Sequence, residues 1–358
     1  MFSGVFLAES TPASRGCSLV TGGGGFIGTH LVRLLLERGE RVRVLELDDV
    51  PVLDGAEVIR GSVADETVVH RAVKGARRIY HLAAHTDLWA PDKRIFRQIN
   101  YESTRTVLRE AMCADVEVVV HTSTEAILTG RGDPDKSDRA LSSSSRKRKT
   151  LGLYCQAKLM AEEAALEASR NGLSVVVVSP TLPVGPGDRH ITPPTRMIVD
   201  FLNRKIPAYL DCHLNLVDVR DVAEGHILAA QRGRSGECYL LGHENIMLSR
   251  LLRMLEEITG VVMPEHKIPY WLALVVGVLQ EFVADHVTHK APMASLTGVR
   301  LAGRGNDFDS DKAVRELGFR QTPIRQALID EIIWLVETGH VNLPVHSFRK
   351  HFGSTEKK

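Results

Sequence analysis

The segment TGGGGFIG, Thr21 to Gly28, constrains this chain more than any other because of what stands on either side of it. Before it runs CSLVT, a short β-branched strand pattern. After it comes an amphipathic helix pattern with Phe26, Ile27, Leu31, Leu34 and Leu35 at its apolar positions. Gly22, Gly25 and Gly28 follow a GxxGxxG spacing, which permits a tight turn, close approach of the backbone to a pyrophosphate, and close packing of helix on strand. The helix N-terminus then faces the phosphates. Four consecutive glycines alone would read as a flexible turn; the flanking strand and helix make this a dinucleotide-binding turn.

From Cys17 onward, β-branched runs alternate with longer amphipathic stretches: RVRVLE, RRIYHLA, VEVVVHT and LSVVVVS recur between helical patterns. The alternation predicts parallel strands joined by helical crossovers. The nearly continuous apolar character of VEVVVHT and LSVVVVS suits central strands covered on both faces. The expected fold is α/β, a Rossmann-type doubly wound parallel sheet with a smaller C-terminal substrate lobe. After Ser179, PTLPVGPGDRHITPP is too rich in proline and glycine for a helix or central strand and reads as a crossing between lobes. Helical patterns at 195–203, 219–231 and 248–259, with short strand candidates such as ECYLLG, are read as the second lobe. The boundaries follow: 1–15 a disordered leader, 16–190 the dinucleotide-binding domain, 191–345 mainly the substrate lobe, interleaved with the first, and 346–358 a polar tail.

Charge excludes several partners. Lys and Arg total 45 against 44 Asp and Glu, a net charge of +1, so no global field favours nucleic acid or an anionic membrane and a small-molecule substrate is expected. The five cysteines are scattered, with no CxxC pair or metal-ligand spacing, so no metal is expected and a reducing cytoplasm fits best. The N-terminal segment lacks a basic region and carries Glu9, which argues against a cleaved signal peptide. The run IPYWLALVVGVL, Ile268 to Leu279, is the most apolar, yet falls short of the about 20 residues a spanning helix needs. It reads as a buried helix of the second lobe, the alternative being a greasy lid that meets a lipid-like substrate or rests on a membrane surface. LSSSSRKRKT, Leu141 to Thr150, reads as a solvated loop.

The chemistry centres on YCQAK. Tyr154 and Lys158 are four residues apart at the start of an amphipathic stretch, so on a helix they share one face. A phenol with a pKa of about 10 is a poor base near neutrality, and a neighbouring ammonium favours its ionised form. Tyr154 would then give a proton to a carbonyl oxygen as hydride arrives, or remove one from an alcohol in reverse. HTSTEA, His121 to Ala126, closes the strand VEVVVHT at the end where such folds place ligands. Thr124 is the hydroxyl expected to bond the substrate oxygen beside Tyr154, and Ser123 is placed nearer the cofactor. His81 and His121, at or near strand ends, are read as structural histidines, and Cys155 as packing. Glu46 closes the second strand, where a carboxylate accepts bonds from the adenosine ribose and repels a 2′-phosphate. NAD is therefore expected, with Arg41 and Arg43 leaving NADP open.

Taken together, TGGGGFIG, HLAA, HTST and YCQAK resemble the extended short-chain dehydrogenase/reductase superfamily, in that order and at comparable separations. Within it, HLAAHTDLWAPDK, SPTLPVGPGD, LNLVDVRDVAEGHILA and SDKAVRELGF look like the hopanoid-associated sugar epimerase group, a relative of dihydroflavonol reductases and 3β-hydroxysteroid dehydrogenases. The resemblance runs from about Cys17 to Gly339. It implies a seven-stranded sheet, one bound dinucleotide, the roles given to Thr124, Tyr154 and Lys158, and Lys158 also touching the nicotinamide ribose. By the same resemblance the turn residues Phe26 and Ile27, then Ser62 and Val63 in GSVAD, then Leu82, Ala83 and Ala84 in HLAA line the cofactor, and Asn100 supports the local structure. It also suggests a homodimer through helices near Thr104 and Tyr154.

Two departures bear on substrate. Nucleotide-sugar enzymes of the superfamily carry an arginine just before a segment like LNLVDVRDVA, where Leu214 stands here, and Ser179 replaces an asparagine near the substrate. With the apolar run at Ile268 to Leu279, these point to a ketone or secondary alcohol on a fairly apolar molecule. Net hydride transfer is the leading expectation. A sugar-nucleotide epimerase or dehydratase using tightly held NAD is the alternative, and a dinucleotide-sensing regulator is third, because such regulators usually lack the YxxxK pair that is present here.

Overall fold

The computed structural model describes residues 16–47, 49–128, 152–305 and 307–343; the leader, the basic loop and the polar tail lie outside the described residues. The strands are β1 (Cys17–Thr21), β2 (Val42–Glu46), β3 (Glu57–Arg60), β4 (Ala76–His81), β5 (Val118–Thr122), β6 (Val175–Pro180), β7 (Leu182–Val184), β8 (Ala208–Tyr209), β9 (His213–Asp218), β10 (Cys238–Leu241), β11 (Glu244–Met247) and β12 (His266–Lys267). The helices are α1 (Phe26–Glu37), α2 (Glu66–Val73), α3 (Arg94–Arg97), α4 (Ser103–Cys113), α5 (Leu153–Arg170), α6 (Pro193–Leu202), α7 (Val219–Arg232), α8 (Leu248–Thr259), α9 (Tyr270–Val283), α10 (Leu296–Ala302), α11 (Asp311–Leu317) and α12 (Ile324–Glu337).

Seven strands form one parallel sheet in the order β10-β6-β5-β4-β1-β2-β3. Strand side chains alternate between faces, and here both faces are apolar. Val118, Val120, Val176 and Val178 join Leu31, Leu35, Val222 and Ile227 of α1 and α7. Val119, Val175 and Val177 join Val69, Val107, Leu108 and Ala165 of α2, α4 and α5. This two-sided burial is why the sequence runs VVVV without polar interruption. The chain winds from β1 out to β3, then crosses back to β4, so the carboxyl ends of β1 and β4 part at the reversal and leave a crevice there.

The short run ECYLLG belongs to this sheet rather than to the second lobe: it is β10, added parallel to β6 with Cys238 opposite Val177. Tyr239 and Leu241 are fully buried in the α1/α7 layer, and that burial draws the strand back. The second lobe is built on β7, β9 and β11, with β9 parallel to β7 and antiparallel to β11. Its core joins Ile198 and Phe201 of α6, Leu251 and Leu255 of α8, and Leu328 and Ile332 of α12.

The apolar run at Ile268 is helical but not buried, which corrects the expectation of a core helix. Within α9 only Ala273 and Gly277 are buried, while Trp271, Val275, Val278, Leu279 and Phe282 are exposed. The cause is the small-residue stripe. Gly277 sits so close to α10 that a Cβ there would lie 3.3 Å from Val299 Cγ2 and 3.5 Å from Leu296 Cα, so α9 docks by its small side chains and turns its large ones outward.

Candidate active site

The glycine turn is shaped by contacts that only hydrogen satisfies. Gly22 has φ +73°, and a Cβ on it would stand 2.8 Å from Ala83 N; this brings the turn against Leu82, Ala83 and Ala84 at the end of β4. On Gly28 a Cβ would stand 2.1 Å from Gly22 O, so α1 starts directly on the turn. Gly25 is less confined, its Cβ reaching Gly22 O at 3.3 Å. As N-cap of α1 it offers no side-chain cap, and no acidic residue lies in the first turn. The orphan N–H groups at Phe26 and Ile27 are thus left for an anionic group, an arrangement that fits a dinucleotide pyrophosphate.

Glu46 stands beside this turn and helps to fix it. Its Oε2 accepts from Gly24 N–H at 2.9 Å and its Oε1 from Leu47 N–H at 3.0 Å. At the end of β3, Ser62 Oγ accepts from Ala64 N–H at 3.1 Å, and Val63 is buried behind it. Glu46, Ser62 and Val63 therefore share the carboxyl edge of the sheet with Gly22.

His81 closes the opposite wall. Its Nδ1 lies 2.8 Å from Thr21 Oγ1 and its Nε2 3.0 Å from Thr104 Oγ1. Thr104 Oγ1 donates to Asn100 O at 2.9 Å, and Thr21 Oγ1 accepts from Ala83 N–H at 3.2 Å. Each hydroxyl has one hydrogen, so Nε2 must carry the imidazole proton and Nδ1 accept. Burial, with the nearby Lys158 charge, pulls the imidazole down to about 3 and keeps it neutral. Asn100 sits in a π-helical turn, Gln98–Glu102, and grips the His85 backbone twice, accepting from its N–H at 2.7 Å and donating to its carbonyl at 3.0 Å. His121 differs: it stacks on His81 at 5.7 Å and is 1% exposed, and neither ring nitrogen has a hydrogen-bond partner.

Tyr154, Lys158 and Glu162 recur every fourth residue on α5 and face the end of β5. Lys158 Nζ donates to Thr122 O at 2.6 Å, and Ser123 Oγ donates to Glu162 Oε2 at 2.6 Å. Thr124 Oγ1 donates to Glu125 Oε2 at 2.9 Å, and its hydroxyl is near enough to Tyr154 to act on the phenol. The structure so brings Thr124, Tyr154 and Lys158 together and sets Ser123 on a carboxylate. Burial pushes the Tyr154 phenol up, nearby Glu125 pushes it further, and the Thr124 hydroxyl opposes both. Lys158 is itself drawn down to about 8 by burial, against the pull of Glu162. The ammonium therefore does not dominate the phenol as its spacing suggests, because it is turned to the Thr122 carbonyl.

Sequence reading passed over two groups here. Burial raises the Glu125 carboxyl to about 7, against hydrogen bonds from Thr124 and the backbone; it adjoins the hydroxyl already singled out. Glu162 was signalled by spacing, one helical turn beyond Lys158. Around the phenol, Tyr154 is packed with Ala90, Phe96, Ile127 and Leu159, flanked by Leu88 and by Leu301 of α10. Cys155 is buried in the same cluster.

Comparison with known proteins agrees with this layout. The model of the NAD dependent epimerase/dehydratase family matches residues 18–242. A Synechocystis protein provisionally named dihydroflavonol 4-reductase is 38% identical over 92% of this chain and 97% of its own. The 4-hydroxy-2-methyl-3-oxo-4-farnesyl-3,4-dihydroquinoline-1-oxide ketoreductase of Stigmatella aurantiaca is 31% identical over 91% of this chain and 98% of its own. Among solved structures, the crystal structure of gox2253 matches with TM-score 0.79 at 35% identity, covering 91% of this chain and 99% of that one.

Proposed function

The chain belongs to the NAD dependent epimerase/dehydratase family, and on that premise we propose that it transfers hydride reversibly between a nicotinamide and a ketone or secondary alcohol on a fairly apolar small molecule. The observation that carries the reading is the α5 face. Tyr154 and Lys158 stand against Thr122 and Thr124, inside an apolar wall, on the same sheet edge as the glycine turn. The dinucleotide would supply the hydride, held at the turn by Gly22, Gly25, Phe26, Ile27 and Gly28, with Glu46 facing its ribose and favouring NAD. Thr124 and Tyr154 would bond the carbonyl oxygen, and Tyr154 would give it a proton. A phenol raised by burial keeps its proton at neutral pH, which suits the reductive direction. Lys158 would hold the nicotinamide end and restore charge beside the phenolate.

Two relatives are named reductases, one for a farnesylated ketone, and Leu88, Phe96 and Ile127 near Tyr154 support an apolar substrate of that kind. A cytoplasmic enzyme, dimeric through the outer sides of α4 and α5, completes the reading. The test is consumption of reduced NAD and NADP across a panel of apolar ketones. Oxidation at equal rate by Tyr154→Phe would refute it.

One observation favours a second reading, a sugar epimerase or dehydratase with NAD retained throughout. Glu125, titrating at about 7 beside Tyr154, is suited to moving a second proton. Purification with stoichiometric NAD and turnover without net change in nicotinamide absorbance would establish it.

A further inference from the structure

Of the fifteen exposed large apolar side chains among the described residues, nine lie between Tyr270 and Met293. Eight of the nine belong to α9 and the π-helical turn Ala284–Thr288 that continues it. Ala273, Gly277 and Ala284 face inward on α10 and the body, and Trp271, Val278, Leu279 and Phe282 face out. A core helix has the reverse arrangement. From Tyr270 to Thr288 only Ala273, Gly277 and Ala284 are buried, and Trp271 is 66% exposed.

The charges around the face say what it meets. Both carboxylates of the segment are turned inward and satisfied: Glu281 accepts from Leu296 N–H at 2.9 Å, and Asp285 accepts from Trp89 Nε1 at 2.7 Å and pairs with Lys93 at 2.9 Å. Lys290, Arg300 and Arg304 are exposed on the segment that follows, and among the described residues no carboxylate is in ion-pair range of them.

We propose that the outer face of α9 is a docking surface for a lipid bilayer with anionic headgroups, the helix lying in the interface plane with Trp271, Leu279 and Phe282 inserted and Lys290, Arg300 and Arg304 at the headgroups. The helix lies on the bilayer and does not cross it. β12 before it pairs with β8, and α10 after it packs back on α9, so both ends stay on one side. A second copy of the chain fits less well, because a self-paired face would bring these cations together with no acidic counterpart. The inference stands apart from the reaction assigned above, since nothing in it uses Tyr154 or the dinucleotide.

Flotation with vesicles of phosphatidylglycerol and phosphatidylcholine, and with phosphatidylcholine alone, tests it on the full chain at low salt. The anionic vesicles are expected to carry the protein up, with blue-shifted tryptophan emission, and the neutral ones to carry far less. Trp271→Glu/Leu279→Glu/Phe282→Glu should lower binding tenfold or more, with thermal midpoint and NAD affinity unchanged. Each cation near an anionic surface is worth about fivefold in partitioning, so Lys290→Gln/Arg300→Gln/Arg304→Gln should lose about a hundredfold and flatten the salt dependence. Wild type that stays unbound with both vesicles overturns the proposal. So does a dimer in light scattering that the triple glutamate variant disperses, which would assign the face to self-association.

Discussion

The two ends of the crevice recognise by opposite means. At the glycine end the backbone does the work: Gly22 and Gly28 leave room that any Cβ would fill, and bare N–H groups open α1. At the other end side chains act, with Tyr154, Lys158 and Thr124 buried beside a half-buried Glu125, and the phenol, the ammonium and the carboxyl all shifted far from their ordinary pKa. The first end fails by crowding, the second by changes of protonation. A substitution at one should leave the other's signature intact.

The strongest break comes at the catalytic end. Tyr154→Phe should cut turnover by about 10² to 10⁴, the usual weight of general acid catalysis, while NAD titration stays at wild-type affinity. Loss of NAD binding in that variant would mean that the two ends are not separable.

At the glycine end, Gly28→Ala and Gly25→Ala form an internal pair. The Gly28 Cβ would sit 2.1 Å from Gly22 O and the Gly25 Cβ 3.3 Å from it. Overpacking on backbone costs about 1–3 kcal/mol or more, so denaturant unfolding should show that loss, with impaired NAD binding, for Gly28→Ala and much less for Gly25→Ala. Equal losses would show that crowding at Gly22 is not what matters.

Protonation sharpens the contrast further. Glu125 is raised from the ordinary 4.5 to about 7, so the folded state favours its neutral form. Its contribution to stability is present below about pH 4.5 and is lost as pH rises through about 7. Lys158 is lowered to about 8; its contribution is present at high pH and is lost as pH falls through about 8. Wild type should therefore weaken between pH 5 and 8 relative to Glu125→Gln, by about 1 kcal/mol once screening is allowed for. Parallel unfolding midpoints for the two proteins across that range would rule this out.

The smallest effect is expected at the edge of the turn. Glu46→Ala removes the acceptor of Gly24 N–H and the charge set against a 2′-phosphate, and should narrow the preference for NAD over NADP by about tenfold. A wild type that already prefers NADP would reverse the reading of Glu46.

What could be read in the sequence was what repeats locally. The glycine turn, the valine strands and the Tyr154–Lys158 spacing each lie within one element and its neighbours, and periodicity exposes them. Contacts between distant elements were hidden. Nothing in HTSTEA alone tells that Ser123 meets Glu162, and nothing in ECYLLG tells which sheet a four-residue strand will join. The misjudged segment was α9, because an apolar run reads the same whether its large or its small side chains face the body. His81 and His121 looked alike in sequence, yet Thr21 and Thr104, both remote, bind the first and not the second.

The return of β10 to β6 has a consequence for how the chain is made. Until residue 241 has left the ribosome, Val175–Pro180 is an outermost strand opening with four valines, with its main-chain donors and acceptors unanswered along one side. Bare margins of that kind invite intermolecular pairing. A nascent chain halted near residue 190 should thus be prone to aggregate, and the stretch that shelters it arrives only after most of the second lobe's first half has been synthesised.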